Sequence, residues 1–354
     1  MVEPAHDKRL GFDMKWIPNE NMRSSTISMS EIVGNHTEQN LLKKTRAIIA
    51  SAQEILIVTS FLITSRTIRN ELVAAANRGV RIYVLTAAET ALKLNQWVTL
   101  GPEKDRVRSH EQSLVELSKN CLVRSDPNWH AKYVIRDPHS QAEGIILSAN
   151  LNEESLIKSP ELGVLLEADE ISELFQIAKY QFWNASHEIR PGNILSPARK
   201  GNELVPPPEK ALKTTVNDSL KLLNETVDRI SQAKDSILLS TYNVDGNCIV
   251  IEALAEALTR GVHVKLICHP SPQNLKSLTS LAKNGAEIYG LMWIHAKLLQ
   301  IDKKNVYFMS QNLDAIKGKA PRMEIGLELN AKRSQDARSW LKHCIDSADQ
   351  TVQL

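Results

Sequence analysis

Two stretches of this sequence carry the same reactive side chains in the same order. HAKYVIRD at 130–137 holds His130, Lys132 and Asp137 as His-x-Lys-x4-Asp, and HAKLLQID at 295–302 repeats it with His295, Lys297 and Asp302. Ser148, Asn150 (in SANL) and Glu161 (in ELGVLLE) follow the first; Ser310, Asn312 (in SQNL) and Glu324 (in EIGLELN) follow the second. A lone histidine is usually a satisfied surface or core residue, and His6, His36, His110, His139, His187, His263, His269 and His343 are read that way. His130 and His295 are set apart because their whole surroundings recur at equivalent places.

The residue types name a chemistry. A lysine ammonium is a compact positive charge, and Ser and Asn donate hydrogen bonds; together they suit the non-bridging oxygens of a phosphate. Imidazole is a nucleophile when neutral and an acid when protonated. Two histidines on opposite sides of one phosphorus divide the work: one attacks, the other protonates the leaving oxygen. Two lysines offset the charge of the crowded transition state. No Asp/Glu/His cluster points to a metal, and no cofactor is expected.

These groups need strands to aim them. In HAKYVI and HAKLLQI the alternation puts His and Lys on one face, and a turn near Asp137 or Asp302 leads into a second strand, GIILSAN or VYFMSQN. The expected hairpins bring Ser148 and Asn150 towards His130 and Lys132, and Ser310 and Asn312 towards His295 and Lys297. Upstream, AQEILIVTSF at 52–61 aligns with AKDSILLSTY at 233–242, and each is followed by a helical pattern ending in Arg-Gly and another apolar run. Gly79 and Gly261 stand where helices end, so each copy predicts a parallel βαβ unit. The chain is thus an α/β protein made of two repeats: an N-terminal extension at 1–44, a first half at 45–189, a linker at 190–215 and a second half at 216–354. The linker is Pro-rich, with Arg190, Arg199, Lys200, Lys210 and Lys213 against Glu203 and Glu209. Residues 1–40 show no counterpart in the second half.

The doubled motif with its Ser-x-Asn strand and downstream acid resembles the phospholipase D superfamily over residues 45–350. The resemblance implies two α/β sandwich halves packed as a pseudo-twofold dimer within one chain, with one active site between them. It implies a covalent phosphohistidine whose phosphoryl group passes to water or an alcohol, without metal. It places the catalytic histidines on His130 and His295, the lysines on Lys132 and Lys297, and the Ser/Asn pairs on Ser148, Asn150, Ser310 and Asn312. The acids that bond the partner histidine fall on Glu161 and Glu324. Asp137 and Asp302 are read as hairpin support. Family habit makes His130 the nucleophile and His295 the general acid, then base. Where the family often has Gly before the Ser, this chain has Leu147 and Met309.

Substrate signals are weaker. Trp129 and Trp293 precede the motif histidines and either line the cleft mouth or pack in the core; Lys317, Lys319 and Arg322 form a basic loop able to hold further phosphates. The 354 residues fit about two domains of ordinary composition. Lys+Arg 43 against Asp+Glu 41 gives +2, too little charge to name a polyanionic partner. A phosphodiesterase acting on a phospholipid-type diester is favoured slightly, a DNA or RNA nuclease is the alternative, and an inactive phosphate-binding or scaffold protein is the reading of another class. The start, MVEPAHDKRLGFDMKW, lacks the apolar core of a signal peptide, and no apolar run reaches the ~20 residues of a membrane span. Four cysteines without CxxC spacing read as reduced thiols. A cytoplasmic protein is expected, in which a monomer completes one site.

Overall fold

The computed structural model describes residues 14–23, 27–35, 41–87, 102–192, 194–199, 205–215, 220–314 and 322–353. In chain order the first part runs β1 (Lys15–Pro18), β2 (Ile32–Gly34), α1 (Leu41–Ser51), β3 (Ile55–Thr59), α2 (Arg66–Asn77), β4 (Arg81–Thr86), α3 (Pro102–Leu117), β5 (Leu122–Ser125), β6 (Tyr133–Arg136), β7 (Glu143–Leu147), α4 (Glu153–Ile157), β8 (Leu162–Leu165), α5 (Ala168–Asn184), β9 (His187–Arg190) and β10 (Ile194–Pro197). The second runs β11 (Leu212–Thr214), α6 (Lys221–Ser231), β12 (Ser236–Ser240), α7 (Ile249–Thr259), β13 (His263–Cys268), α8 (Pro272–Lys283), β14 (Glu287–Gly290), β15 (Lys297–Ile301), β16 (Asn305–Met309), β17 (Ile325–Glu328), α9 (Ala331–Asp346) and β18 (Gln350–Gln353).

These strands form two nine-stranded sheets, β10-β9-β5-β4-β3-β6-β7-β8-β2 and β1-β18-β14-β13-β12-β15-β16-β17-β11. The βαβ units are as expected: β3 pairs with β4 and β12 with β13 in parallel, and Gly79 and Gly261 end α2 and α7 at φ 93° and 83°. Both motif hairpins are antiparallel. One buried apolar cluster backs the first sheet with α1 to α4, and another backs the second sheet with α6 to α8. A third is shared: Leu174 and Phe182 of α5 and Trp340 and Leu341 of α9 pack with residues from both sheets. The halves therefore fold as one two-lobed body around a common middle layer.

The repeat is longer than identity reveals. β2 adds to the edge strand β8 and β11 adds to its counterpart β17, both antiparallel. Asn35 N–H then donates to Glu161 O and Thr215 N–H to Glu324 O. So residues 32–35 do have a counterpart, 212–215, within what the sequence assigns to extension and linker. The earlier strand β1 pairs with β18, so the N-terminal segment contributes to both sheets. Part of the linker is also pinned: the Glu173 carboxylate accepts the backbone N–H groups of Lys210, Ala211 and Leu212. The expected start of the second half, Val216, lies outside the described residues.

Candidate active site

Backbone hydrogen bonds between the halves set the two histidines. His130 N–H donates to Met323 O (3.2 Å) and Met323 N–H returns to Asn128 O (2.7 Å); His295 N–H donates to Pro160 O (3.1 Å), the repeat counterpart of Met323. Each imidazole then meets the carboxylate of the other half, with His130 Nδ1 2.8 Å from Glu324 Oε1 and His295 Nδ1 3.2 Å from Glu161 Oε1. His295 Nδ1 also lies 3.1 Å from Ser148 O. A carbonyl oxygen only accepts, so Nδ1 carries the hydrogen and the Nε2 lone pair is left for chemistry.

Ser148 and Ser310 do something other than what their types suggest. Ser148 Oγ donates to Glu161 Oε2 and Ser310 Oγ to Glu324 Oε2, both at 2.5 Å. They accept the N–H groups of Leu162 (3.0 Å) and Ile325 (2.9 Å). A hydroxyl has one hydrogen, and here it is committed to a carboxylate. The serines therefore orient Glu161 and Glu324, a correction to the expectation that they bond phosphate. The asparagines differ from each other. Asn150 Oδ1 lies 3.5 Å from Ser60 Oγ, whereas buried Asn312 Oδ1 has no hydrogen-bond partner among the described residues. An orphaned buried polar atom at a site is an observation a ligand or water would account for.

Four buried ionisable pairs crowd this junction. Lys132 Nζ is 3.2 and 3.1 Å from the two ring nitrogens of His130, and Lys297 Nζ is 3.2 Å from both of His295, so each ammonium sits beside its ring. Burial pushes Lys132 down to about 7 and Lys297 down to about 8; facing carboxylates oppose this, and for Lys132 the charge on Lys297 adds to it. His130 and His295 are held below the usual imidazole range, chiefly by burial and in part by the lysines, against the pull of Glu324 and Glu161. Burial alone would raise those two carboxyls, but the histidine and lysine charges hold them low. These surroundings favour neutral imidazole against ionised carboxylate.

Asp137 and Asp302 bond backbone and not the histidines. Both lie in the left-handed region, at φ 44° and 48°. The Asp137 carboxylate accepts the N–H groups of Gln53, Glu54 and Ile55 at 2.7–3.0 Å, and Asp302 accepts those of Lys234, Asp235 and Ser236 at 2.8–3.1 Å. Each aspartate ties its hairpin turn to the start of the neighbouring antiparallel strand, β3 or β12. The residues at the family's usual glycine, Leu147 and Met309, are buried, and each faces a glycine on the next strand, Gly163 or Gly326. A Cβ at Gly163 would stand 2.9 Å from Leu147 Cδ2, so the space for Leu147 is taken from the neighbouring strand, whereas Gly326 makes room for the Tyr307 hydroxyl.

Of the substrate candidates, Trp129 takes the core alternative and does not line the cleft: it is 3 % exposed, packs in the shared core and donates its indole N–H to Ala131 O at 2.8 Å. Trp293 is 53 % exposed. Lys317 and Lys319 lie outside the described residues. Arg322 is exposed, 4.0 Å from Asp314, and its charge reaches both motif lysines. Sequence reasoning passed over Phe61 and Tyr242, whose rings flank His130 (5.6 Å, 57°) and His295 (5.4 Å, 58°). Their signal was present: they are the aligned last residues of AQEILIVTSF and AKDSILLSTY.

Known proteins share this fold. The family model described as "Cardiolipin synthase, PLD-like domain" matches residues 45–183 and 226–345. The fold is similar to phosphatidylserine synthase of Haemophilus influenzae Rd KW20, with TM-score 0.64 and 10% identity, covering 94% of this chain and 90% of that one. It is also similar to polyphosphate kinase of Porphyromonas gingivalis, with TM-score 0.55 and 15% identity over 85% of this chain; the chain spans about half of that kinase, 47%. A phospholipase D family member, Nuc from Salmonella typhimurium, aligns over 42% of this chain and 89% of its own, at 19% identity and TM-score 0.34. No curated protein sequence matches the chain. With a doubled family match covering most of its length, the chain belongs to the phospholipase D superfamily, whose members cleave or transfer phosphodiesters.

Proposed function

We propose that this protein cleaves a phosphodiester through a covalent phosphohistidine, with His130 as nucleophile and His295 as general acid and then base. The observation that carries this reading is the crossed pairing: each imidazole Nδ1 is fixed by a carboxylate of the opposite half, which puts the lone pair of each neutral ring on Nε2, beside its lysine. His130 Nε2 attacks phosphorus and the P–O bond to the leaving alcohol breaks as His295 gives that oxygen its Nε2 proton. An anionic phosphate held between the rings favours the protonated form of His295 that this step needs. Water then loses a proton to His295 Nε2 and attacks phosphorus, the P–N bond breaks, and both histidines are restored. An alcohol in place of water makes the reaction a transfer. Lys132 and Lys297 balance the charge on the non-bridging oxygens.

For the substrate, a phospholipid-type diester has the family model's description behind it. A nucleic-acid strand has one structural observation behind it, the exposed aromatic Trp293 beside the site. Turnover of bis-p-nitrophenyl phosphate by the wild type with EDTA present tests the reaction, and for a diester whose leaving alcohol needs a proton a bell-shaped profile is expected over about pH 5 to 8. Loss of turnover on EDTA treatment, or a flat profile, would overturn the metal-free paired-histidine scheme. A panel of phosphatidylcholine, cardiolipin, single-stranded and duplex DNA and RNA, with His130→Ala as control, ranks the substrates.

A further inference from the structure

The two halves match in their first aromatic contact and then diverge. Phe61 on His130 and Tyr242 on His295 are equivalent in distance and tilt. In the second half the rings continue outward. Tyr242 stacks on His269 at 5.0 Å and 16°, and His269 stacks on Trp293 at 5.0 Å and 23°. The repeat counterparts of His269 and Trp293 are Ala87 and Asn128, which offer no ring. Among the described residues, the pseudo-symmetric site thus has an aromatic ladder on one side only, running from a motif histidine to an indole that faces solvent.

The outermost rung is held in place at a cost. Trp293 sits at φ 61°, a conformation disfavoured for a residue with a Cβ. Two contacts hold it there: Trp293 N–H donates to His269 Nδ1 at 3.2 Å, and Met292 N–H donates to the Asp349 carboxylate at 2.7 Å. The first ties the Trp293 backbone to the His269 ring, on which the indole stacks at 23°. It requires an unprotonated His269 Nδ1, in keeping with the burial that holds this imidazole below its usual range. Local strain of this kind persists where the surroundings over-determine it, and it clusters at ligand sites. A residue that only dips into a lipid surface needs no fixed plane, whereas a ligand with a flat face does.

We propose that Trp293, backed by His269 and Tyr242, is a stacking platform for a nucleobase, so that a single-stranded nucleic acid leaves the phosphodiester site along the second half. This rests on the phosphodiesterase reading and chooses between its two substrate classes. Trp293 is three ring steps from His295, so the base it holds belongs to a nucleotide beyond the scissile one. Aromatic stacking tolerates any base, so little sequence preference follows.

The test is binding in a His130→Ala background, which blocks turnover without removing the platform. Fluorescence anisotropy would measure labelled single-stranded DNA and RNA of about twelve nucleotides, a dinucleotide, and anionic phospholipid vesicles. Adding Trp293→Ala should weaken oligonucleotide binding by at least about tenfold, with the dinucleotide and vesicles unmoved, and Trp293→Phe should recover most of the loss. Equal affinity of Trp293→Ala and its parent for oligonucleotides would overturn the proposal. A loss confined to vesicles would overturn it in favour of a membrane-facing rim. Turnover of bis-p-nitrophenyl phosphate by the wild type reports on the reaction itself, so failure of the platform and failure of the phosphodiesterase reading give different results.

Discussion

Replacing Glu324 and Glu161 one at a time by glutamine should separate the two chemical steps. Each carboxylate is 1 % exposed, and each bonds the histidine of the other half, at 2.8 Å for Glu324 and 3.2 Å for Glu161. Glutamine keeps an acceptor for Nδ1–H but removes the charge. A phosphorylated imidazole is cationic, and a full charge about 4 Å away at an effective dielectric near 20 is worth about 4 kcal/mol. Part of that returns through the retained hydrogen bond, so the affected step should slow about 100- to 1,000-fold. Rapid-quench kinetics with bis-p-nitrophenyl phosphate reads the steps apart, because p-nitrophenolate leaves without needing a proton. Glu324→Gln acts on His130 and should suppress the burst of p-nitrophenol. Glu161→Gln acts on His295 and should preserve the burst, slow the steady state, and accumulate phosphohistidine on residue 130. The reverse pattern would make His295 the nucleophile. Less than about threefold change in both variants would refute the claim that the crossed carboxylates support the reaction.

The lysines predict a pH effect on anion binding: with Lys132 at about 7 and Lys297 at about 8, the site loses positive charge as pH rises through that range. Phosphate should raise the Tm more near pH 6 than near pH 9, and Lys132→Met should remove most of that difference. Both lysines are protonated when unfolded up to about pH 10.4, so the cost of burying their charge is present below about pH 7 and is relieved as pH rises from there. Asp137→Asn should cost about 1–3 kcal/mol by urea unfolding, because three backbone N–H groups lose a charged acceptor. Those bonds outweigh burial and hold the Asp137 carboxyl low, so its contribution is present above the unfolded value near 3.9 and is lost as pH falls through the lower folded value. Arg333→Met strands Glu170 and should destabilise by about 3–5 kcal/mol, with the double exchange Glu170→Arg, Arg333→Glu recovering part.

The doubled motif made much of this legible. Its period identified the halves, and the Arg-Gly helix ends identified the parallel βαβ units, because left-handed glycines and apolar strands leave a local imprint. What escaped was set by contact at a distance. Ser148 carries a donor suited to phosphate, and only the position of Glu161 on the adjoining strand shows that its hydrogen is spent. Trp129 and Trp293 look alike beside a motif histidine, yet one is core and the other is solvent-facing, since burial depends on the opposite half. β2 and β11 share no residue identity, because an edge strand is chosen by backbone pairing and any side chains that tolerate the edge will serve.

The contact across the pseudo-axis has a consequence for how the halves recognise each other. Glu167 and Asn330 are repeat counterparts, each the N-cap of its helix, and Asn330 Nδ2 donates to Glu167 at 2.6 Å. Glu170 and Arg333, also counterparts, form a buried pair in which Arg333 Nη1 reaches both carboxylate oxygens at 2.8 and 2.9 Å. In an assembly of identical halves these positions would set glutamate against glutamate or arginine against arginine. The two lobes are thus complementary and refuse their own kind, so the junction between them is specified as a mixed pair. Once each lobe has only one permitted partner, its rim is free of the demand to match its twin, and one side of a symmetric site can acquire rings the other lacks.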